Sequence, residues 1–166
     1  MRKKIKQKEF EKHIIEYKEK YYRVAFSYVK NKEDALDIVQ ESIYKALTKY
    51  DRIENVDALN TWMYRIVINT SIDFLRKIRK IEFQEIESLE RNLPDVMDKY
   101  SDIDLEDAIE KLPLEQRKIV ILRFFEDLKI KEIACILGEN ENTIKTKLYK
   151  ILKNLKTSLD KEDYNV

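Results

Sequence analysis

Hydrogen-bonding and cationic side chains cluster near the end of the chain, in the stretch "NENTIKTKLYK" from Asn140 to Lys150. On a helix, one side of this stretch would be exposed and would carry Asn142, Thr143, Lys145, Thr146, Lys147 and Lys150. Such side chains can read base edges, because asparagine pairs with adenine, lysine with guanine, and the threonine methyl contacts thymine. The alternative is the solvated face of an ordinary bundle helix.

The elements around this stretch predict a helix-turn-helix. The preceding segment offers Ile133, Ala134 and Leu137 as an inward face, and Gly138, the only glycine of the chain, suits the left-handed conformation of a tight turn. Asn140 is a predicted N-cap of the next helix. The buried face of that helix is predicted to hold Ile144, Leu148, Ile151, Leu152 and Leu155. A helix, a turn with glycine and a second helix form the layout of DNA-binding modules.

The first half of the chain predicts a three- or four-helix bundle. One apolar stripe runs from Phe10 to Tyr28, Asn31 can cap a second helix, and a third stripe begins at Trp62. The inward positions of the second and third stripes are Ala35, Ile38, Val39, Ile43, Ala46, Leu47, Met63, Ile66 and Val67. We expect a break at "INTS", residues 68–71, before Leu75 and Ile78 continue the pattern.

Composition excludes several classes of protein. One glycine and two prolines in 166 residues leave little turn chemistry for hairpins, so the chain is predicted to be all-α. His13 and Cys135 are the only residues of their types and are interpreted as a helix side chain and a small core residue. No cofactor, metal site or catalytic group is predicted. No apolar run is long enough to span a bilayer, and the start lacks a signal-peptide core, which predicts a cytoplasmic protein.

Charge divides the chain into three blocks. Residues 1–80 carry 19 bases and 12 acids, residues 81–107 carry two bases and ten acids, and residues 108–166 carry 12 bases and ten acids. We therefore predict two domains, 1–80 and 105–166, joined by an acidic linker over 81–104, where the alternative is a weak helix around 82–91. The basic blocks suit a polyanion at two places.

Three motifs together resemble bacterial sigma factors of the sigma-70 family, extracytoplasmic-function (ECF) type. "DALDIVQESIYKAL" (34–47) is similar to region 2.2 of that family, and "TWMYRIVINTSIDFLRKIRK" (61–80) resembles regions 2.3 and 2.4. "LPLEQRKIVILRFFEDLKIKEIACILGENENTIKTKLYK" (112–150) looks like region 4. The order and spacing are those of the family, so the resemblance covers nearly the whole chain.

The resemblance implies a subunit that directs RNA polymerase core to promoters in stress responses. Its implied partners are the polymerase clamp helices and flap, promoter DNA, and an anti-sigma protein, soluble or membrane-anchored. It implies neither a small-molecule substrate nor membrane insertion. The implied polymerase-binding residues are Asp34, Asp37, Gln40 and Glu41.

The resemblance also divides promoter recognition between the two domains. Asn69, Thr70 and Ser71 would lie in a short loop that captures a flipped base of the −10 element, and Arg76, Lys77, Arg79 and Lys80 would hold the separated strand. The exposed face at 142–150 would read the −35 element. Trp62 is interpreted chiefly as a core residue, and Tyr64 and Arg65 are weaker candidates for DNA contact.

Several positions depart from the family pattern. Leu36 replaces an acidic residue, and Asp127 and Lys129 stand where glycine and serine are usual, which removes a left-handed residue and an N-cap. Lys147 and Lys150 occupy arginine positions, and lysine lacks the bidentate fork of arginine.

Two other classes of protein remain open from the residues alone. A helix-turn-helix regulator that acts without polymerase core would have a ligand pocket or a self-complementary face in its first domain. A helical scaffold that binds only proteins would have no salt-dependent affinity for DNA.

Overall fold

A computed structural model of the chain describes residues 4–88 and 105–163, and these residues contain no strand. The first half holds three helices: α1 (Gln7–Val29), α2 (Lys32–Leu47) and α3 (Val56–Ser88), with a 3₁₀ turn at Tyr50–Arg52. The three helices pack against one another around one core, as the apolar stripes predict. The largest fully buried side chains at its centre are Phe10, Tyr21, Ile38, Leu59, Met63, Tyr64 and Ile68.

The second half holds four helices: α4 (Leu105–Glu110), α5 (Leu114–Val120), α6 (Ile130–Leu137) and α7 (Glu141–Asp163). A π-helical turn, Ile121–Phe125, follows α5 directly. The core of this half is formed by Ile119, Val120, Ile121, Leu122, Ile133, Ile136, Ile144 and Ile151. The predicted all-α architecture is confirmed.

Local capping signals place the helix boundaries. The Asn31 side chain accepts a hydrogen bond from the Asp34 backbone N–H at 3.0 Å and so caps α2 as predicted. Lys129 begins α6 without a side-chain acceptor, and its backbone N–H donates instead to the Glu132 carboxylate at 2.7 Å. Glu132 thereby supplies one half of a capping box after the usual serine is lost.

The predicted break at residues 68–71 is wrong, because α3 is continuous from Val56 to Ser88. Thr70 and Ser71 are 2% and 0% exposed, and the Ser71 hydroxyl donates to the Val67 carbonyl one turn earlier. Tertiary burial therefore outweighs the weak helix propensity of these residues. α3 also extends past the predicted domain boundary at 80, and residues 89–104 of the predicted linker lie outside the described residues.

Three predicted core positions are also corrected. Leu47 and Leu152 are 47% and 42% exposed, and Cys135 is exposed as well. Each lies at the margin of an apolar stripe, where helical spacing alone leaves the direction of the side chain open. The neighbouring helices cover only the centre of each stripe.

The two halves contact each other in this structure. α3 lies against α6, and α1 lies against the π-helical turn. The arrangement positions the turn of the helix-turn-helix beside the middle of α3.

Backbone conformation at Asp127 leads to a stability prediction. Asp127 has φ +51°, a left-handed conformation that costs a residue with a Cβ more than it costs glycine. Asp127→Gly is expected to stabilise the second half by about 0.5–1 kcal/mol, because relief of this strain outweighs the entropy that glycine adds to the unfolded chain. Urea unfolding monitored by circular dichroism measures the difference, with Asp160→Gly in the exposed part of α7 as a control that should destabilise. A lower midpoint for Asp127→Gly would contradict the assignment of strain.

Candidate nucleic-acid and polymerase interfaces

The turn between α6 and α7 has the geometry that the sequence predicts. Gly138 has φ +65°, and the Glu139 backbone N–H donates to the Ala134 carbonyl at 3.0 Å, which closes the end of α6. The Asn140 side chain then accepts from the Asn142 backbone N–H at 2.8 Å and caps α7. These local bonds fix where α7 begins and therefore which of its side chains face outward.

The predicted reading face of α7 is exposed. All six residues, Asn142, Thr143, Lys145, Thr146, Lys147 and Lys150, are exposed, while Ile144 between them is completely buried. The Lys147 ammonium contacts both carboxylate oxygens of Glu139 at 2.8 Å. Sequence reasoning missed this contact, although a glutamate in the turn and a lysine eight residues later were both visible. A base or phosphate that binds Lys147 therefore competes with Glu139 for its ammonium group.

The three polar residues predicted to capture a flipped base differ in accessibility. Asn69 is exposed, whereas Thr70 and Ser71 are buried in the core of the first half. The expected loop of three exposed polar groups is thus replaced by one exposed amide on a continuous helix. The Thr70 hydroxyl accepts from the Lys45 ammonium at 3.1 Å, and Lys45 also pairs with Glu41 at 3.0 Å.

Four cationic side chains follow on the same helix. Arg76, Lys77, Arg79 and Lys80 are all exposed, and Arg76 lies 3.9 Å from Asp73 one turn earlier. An exposed pair of this kind contributes little to stability, so the guanidinium remains available to a stronger anion. α3 therefore presents the exposed amide of Asn69 and, farther along, four exposed cationic side chains.

The outer face of α2 combines acidic, amide and apolar groups. Asp37, Gln40 and Glu41 are exposed as predicted, whereas Asp34 is half-buried at the start of the helix. Leu36 and Tyr44 on the same face are 54% and 70% exposed, and Leu47 extends the apolar strip. Sequence reasoning missed this strip, although the departure at Leu36 was noted. A mixed face of this type is typical of protein interfaces.

His13 and Trp62 have structural roles in the first half. The Tyr21 hydroxyl has one hydrogen and donates it to Asn60 Oδ1 at 3.2 Å, so it accepts from His13 Nε2 at 2.7 Å. Burial lowers the pKa of His13 and so favours the neutral ring, in the tautomer that carries its hydrogen on Nε2. Trp62 is half-buried and packs against the core.

Within residues 4–88 and 105–163, no helix combines the length and apolar content that crossing a bilayer requires.

Family models match both halves of the chain. The model described as sigma-70 region 2 matches residues 14–81, and the model described as sigma-70, region 4 matches residues 102–155. Together these matches include every candidate residue on α2, α3 and α7.

Relatives with known names match over most of their length. The RNA polymerase sigma factor SigV of Bacillus subtilis is 51% identical over 150 residues, which is 90% of each chain. The RNA polymerase sigma-E factor of Streptomyces coelicolor is 29% identical and covers 93% of this chain and 88% of its own. The ECF RNA polymerase sigma factor SigW of Bacillus subtilis is 27% identical over 86% of this chain and 84% of its own.

Two solved structures have the same fold. The sigma factor RpoE of Bartonella quintana, solved with the anti-sigma factor NepR, aligns with a TM-score of 0.65 over 92% of this chain and 98% of that one, at 24% identity. CnrH, solved with the cytosolic domain of CnrY, aligns with a TM-score of 0.66 over 93% and 90%, at 18% identity. With both halves matched by family models and a sigma factor 51% identical along nine-tenths of its length, the chain belongs to the ECF type of the sigma-70 family, whose members direct RNA polymerase to promoters.

Proposed function

We propose that this chain gives RNA polymerase its promoter specificity through two separate DNA-reading surfaces, and that it contributes no catalytic chemistry of its own. The observation that carries the proposal is the presence, in one chain, of an exposed helix-turn-helix reading face on α7 and an exposed cationic face on α3. An isolated helix-turn-helix regulator needs only the first of these surfaces. The second suits the unpaired strand of an opened promoter.

The −35 element is assigned to α7. Asn142, Thr143 and Lys145 lie in its first two turns, where a recognition helix reaches base edges, and Lys150 lies farther along, where phosphates are met. Thr146 donates its hydroxyl to the Asn142 carbonyl at 2.9 Å and so offers mainly its methyl group outward. The Glu139 carboxylate pairs with Lys147 beside the turn and therefore competes with DNA for this lysine.

The −10 element is assigned to α3. Asn69 supplies the hydrogen-bonding groups for an extruded base, and Arg76, Lys77, Arg79 and Lys80 attract the phosphates of the separated strand. Thr70 and Ser71 are buried beneath this surface. The Thr70 hydroxyl accepts a hydrogen bond from Lys45, and the Ser71 hydroxyl donates to the Val67 carbonyl of the same helix. Lys45 contacts both Thr70 of α3 and Glu41, which lies on the face assigned to polymerase.

Polymerase core is assigned to the outer face of α2. Asp37, Gln40 and Glu41 supply acceptors for a basic helical partner such as the clamp helices, and Asp34 lies at the N-terminal end of the same face. Leu36 and Tyr44 add exposed apolar area that association would bury. The flap is assigned as the second polymerase contact, on the second half.

An anti-sigma protein and a cytoplasmic location complete the proposal. RpoE, a sigma factor of the same fold, was solved with the anti-sigma factor NepR, and CnrH, of the same fold, was solved with the cytosolic domain of CnrY. We infer that this chain is likewise held inactive by such a protein, soluble or membrane-anchored. A factor that works on polymerase and promoter DNA acts in the cytoplasm of a bacterium.

Asn69→Ala is expected to reduce opening of the −10 element by about 10-fold or more while leaving binding to closed duplex promoter nearly unchanged. Loss of hydrogen bonds to one base corresponds to about 1–3 kcal/mol. Permanganate footprinting of the opened strand measures the effect, and Asn154→Ala, an exposed asparagine of α7 outside the assigned DNA-binding set, is the matched control. Unchanged permanganate reactivity in Asn69→Ala would remove this residue from the −10 surface.

The proposed function as a whole is tested by run-off transcription on genomic fragments with purified core polymerase. New start sites that depend on the protein are expected, and their upstream sequences would identify both elements. Specific DNA binding without any new start site would favour the alternative, a helix-turn-helix regulator that acts without polymerase core.

A further inference from the structure

We propose that the junction between α1 and the π-helical turn binds a free purine nucleotide with two or three phosphates. The base would lie in an aromatic cavity, and the phosphates would contact Arg23 and Lys30. None of the surfaces assigned to DNA or polymerase includes this cavity. Binding can be measured on the protein alone, so the test does not depend on the proposed function.

The cavity at this junction has aromatic walls and a volume of about 230 Å³. Three rings line it, those of Tyr22 and Phe26 from α1 and that of Phe125 from the turn. The rings of Tyr22 and Phe26 are stacked, with centroids 6.0 Å apart and planes inclined by 26°. Pockets that enclose a drug-sized molecule measure about 300–1,000 Å³, so this one suits a single flat ring system. Every nucleobase has a π-face that stacks on such rings, so the cavity is suited to one base.

Two cations with unused donors flank the cavity. Among the described residues, the Arg23 guanidinium pairs with Glu126 at 3.4 Å through Nη2, and the Arg23 side chain is 54% exposed. Most of the guanidinium N–H groups are therefore free for a ligand. The Lys30 ammonium lies 4.0 Å from Glu106, which is beyond hydrogen-bonding distance. Both side chains are of the types that hold phosphate groups in proteins.

The spacing of these cations favours more than one phosphate. Lys30 directly follows α1 and lies seven positions after Arg23, or about 10 Å farther along the helix axis. A chain of two or three phosphates can contact both cations, whereas a single carboxylate group suits only one of them. A nucleoside diphosphate or triphosphate therefore matches the site better than an aromatic acid does.

The two carboxyl groups at the cavity differ in what they offer to a ligand. Glu126 is only 2% exposed, and its Oε2 already accepts from the Tyr64 hydroxyl at 3.3 Å. Glu106 is 59% exposed at the rim and is only loosely paired with Lys30. A carboxylate in that position can accept a hydrogen bond from a ribose hydroxyl or from the exocyclic amine of a base.

Polar contacts between the halves keep the cavity walls in place. The Arg65 guanidinium of α3 donates from Nε to the Ile136 carbonyl and from Nη2 to the Cys135 carbonyl at the end of α6. The bond from Tyr64 to Glu126 joins the same helix to the residue after the π-helical turn. A site whose walls are already in place loses little binding free energy to ordering when the ligand enters.

The test is a titration of the full-length chain with ADP, followed by isothermal calorimetry and saturation-transfer difference NMR. Adenosine and pyrophosphate are the partial ligands, because the first lacks the phosphates and the second lacks the base. ADP is expected to bind at least about tenfold more tightly than either, since hydrogen bonds to charged groups are strong. Saturation should be transferred most strongly to the base protons. UDP should bind more weakly than ADP or GDP, because its single ring stacks over less area.

Substitutions locate the site. Phe125→Ala is expected to weaken ADP binding at least about fivefold through loss of one stacking surface. Phe124→Ala is the matched control, because this phenylalanine is 55% exposed and does not line the cavity. Lys30→Gln should weaken ADP binding about tenfold and leave adenosine binding unchanged, with the exposed Lys32→Gln as its control. Far-ultraviolet circular dichroism checks that each variant keeps its helices.

Several outcomes would overturn the nucleotide site. Pyrophosphate that binds as tightly as ADP would reduce it to a cationic patch, and adenosine that does so would reduce it to an apolar cavity. A short single-stranded oligonucleotide that binds more tightly than ADP would assign the cavity to a nucleic-acid strand. Absence of ADP binding, or equal losses in the Phe125 and Phe124 variants, would also contradict it. Failure of the proposed function would instead appear as absence of new start sites, with ADP binding unaffected.

Discussion

Replacing Lys145 and Lys147 together with alanine is expected to weaken binding to the −35 element by roughly 30-fold or more, since each contact to a base edge corresponds to about 1–3 kcal/mol. Both side chains are exposed on α7 and belong to neither core. The same change removes two cations from the DNA interface, so the dependence of affinity on salt concentration should become shallower. Binding to polymerase core should remain unchanged.

The measurement is a titration of −35 duplex DNA at several salt concentrations, combined with a pull-down of polymerase core. Glu139→Gln is the companion variant with the opposite sign, because it frees Lys147 from its ion pair at 2.8 Å. It should raise affinity roughly two- to fivefold, which is the range expected for one exposed pair. Lys18→Ala, an exposed lysine of α1 outside every assigned site, serves as the charge control.

Loss of polymerase binding in the double lysine variant would contradict the assignment of these lysines to DNA recognition and of polymerase binding to other surfaces. An unchanged affinity for the −35 duplex would instead remove α7 from DNA recognition. The sign of the Glu139→Gln effect separates two roles for that residue. A loss of affinity would mean that Glu139 itself accepts a hydrogen bond from DNA, since carboxylates can accept from cytosine.

Tyr21→Ala is expected to destabilise the first half by about 3–5 kcal/mol, as large-to-small changes in a protein core do. Tyr21 is completely buried, and its ring packs edge-on against Tyr64 with the ring centroids 5.4 Å apart. Its hydroxyl joins His13 to Asn60, two polar groups that the variant would leave without this partner. Because whole domains are stable by about 5–15 kcal/mol, such a loss is a large fraction of the total.

Urea unfolding of the variants measures this loss, and Tyr21→Phe separates its two components. The phenylalanine keeps the ring and removes only the hydroxyl, which should cost about 1–3 kcal/mol through the unpaired groups of His13 and Asn60. Tyr149→Ala, in which a 73% exposed tyrosine of α7 is truncated, should change stability by less than about 0.5 kcal/mol. Equal effects of Tyr21→Phe and Tyr149→Ala would show that the buried hydroxyl bonds contribute nothing.

Local features of the fold could be predicted because their causes lie within a few residues of sequence. The caps at Asn31 and Asn140 and the turn at Gly138 all depend on bonds that span five residues or fewer. The amphipathic stripes predicted which faces of the helices are buried, and the wrong predictions lie at stripe margins, at Leu47, Cys135 and Leu152. The motifs predicted the family, which the comparisons confirm.

The candidate site was predicted less completely than the fold. The sequence placed Asn69, Thr70 and Ser71 together on one reading surface, but burial of two of them depends on α2, whose Lys45 reaches Thr70 from 25 residues away. The apolar strip with Leu36 and Tyr44 was missed because its third member, Leu47, was predicted to face the core, and its exposure depends on the packing of α2. The assigned roles of these residues remain predictions for the experiments above.

The sequence by itself determined the family, the helices, their caps and the turn before α7, because hydrophobic periodicity and short-range hydrogen bonding are written in neighbouring residues. Only the tertiary structure decided which polar residues are buried, where Glu139 holds Lys147, and how Arg65 and Tyr64 meet the second half. Those contacts join residues 8 to 71 positions apart, and no local pattern encodes them. They form only when whole helices pack, because the partner that buries or pairs with each side chain lies on another element of the fold.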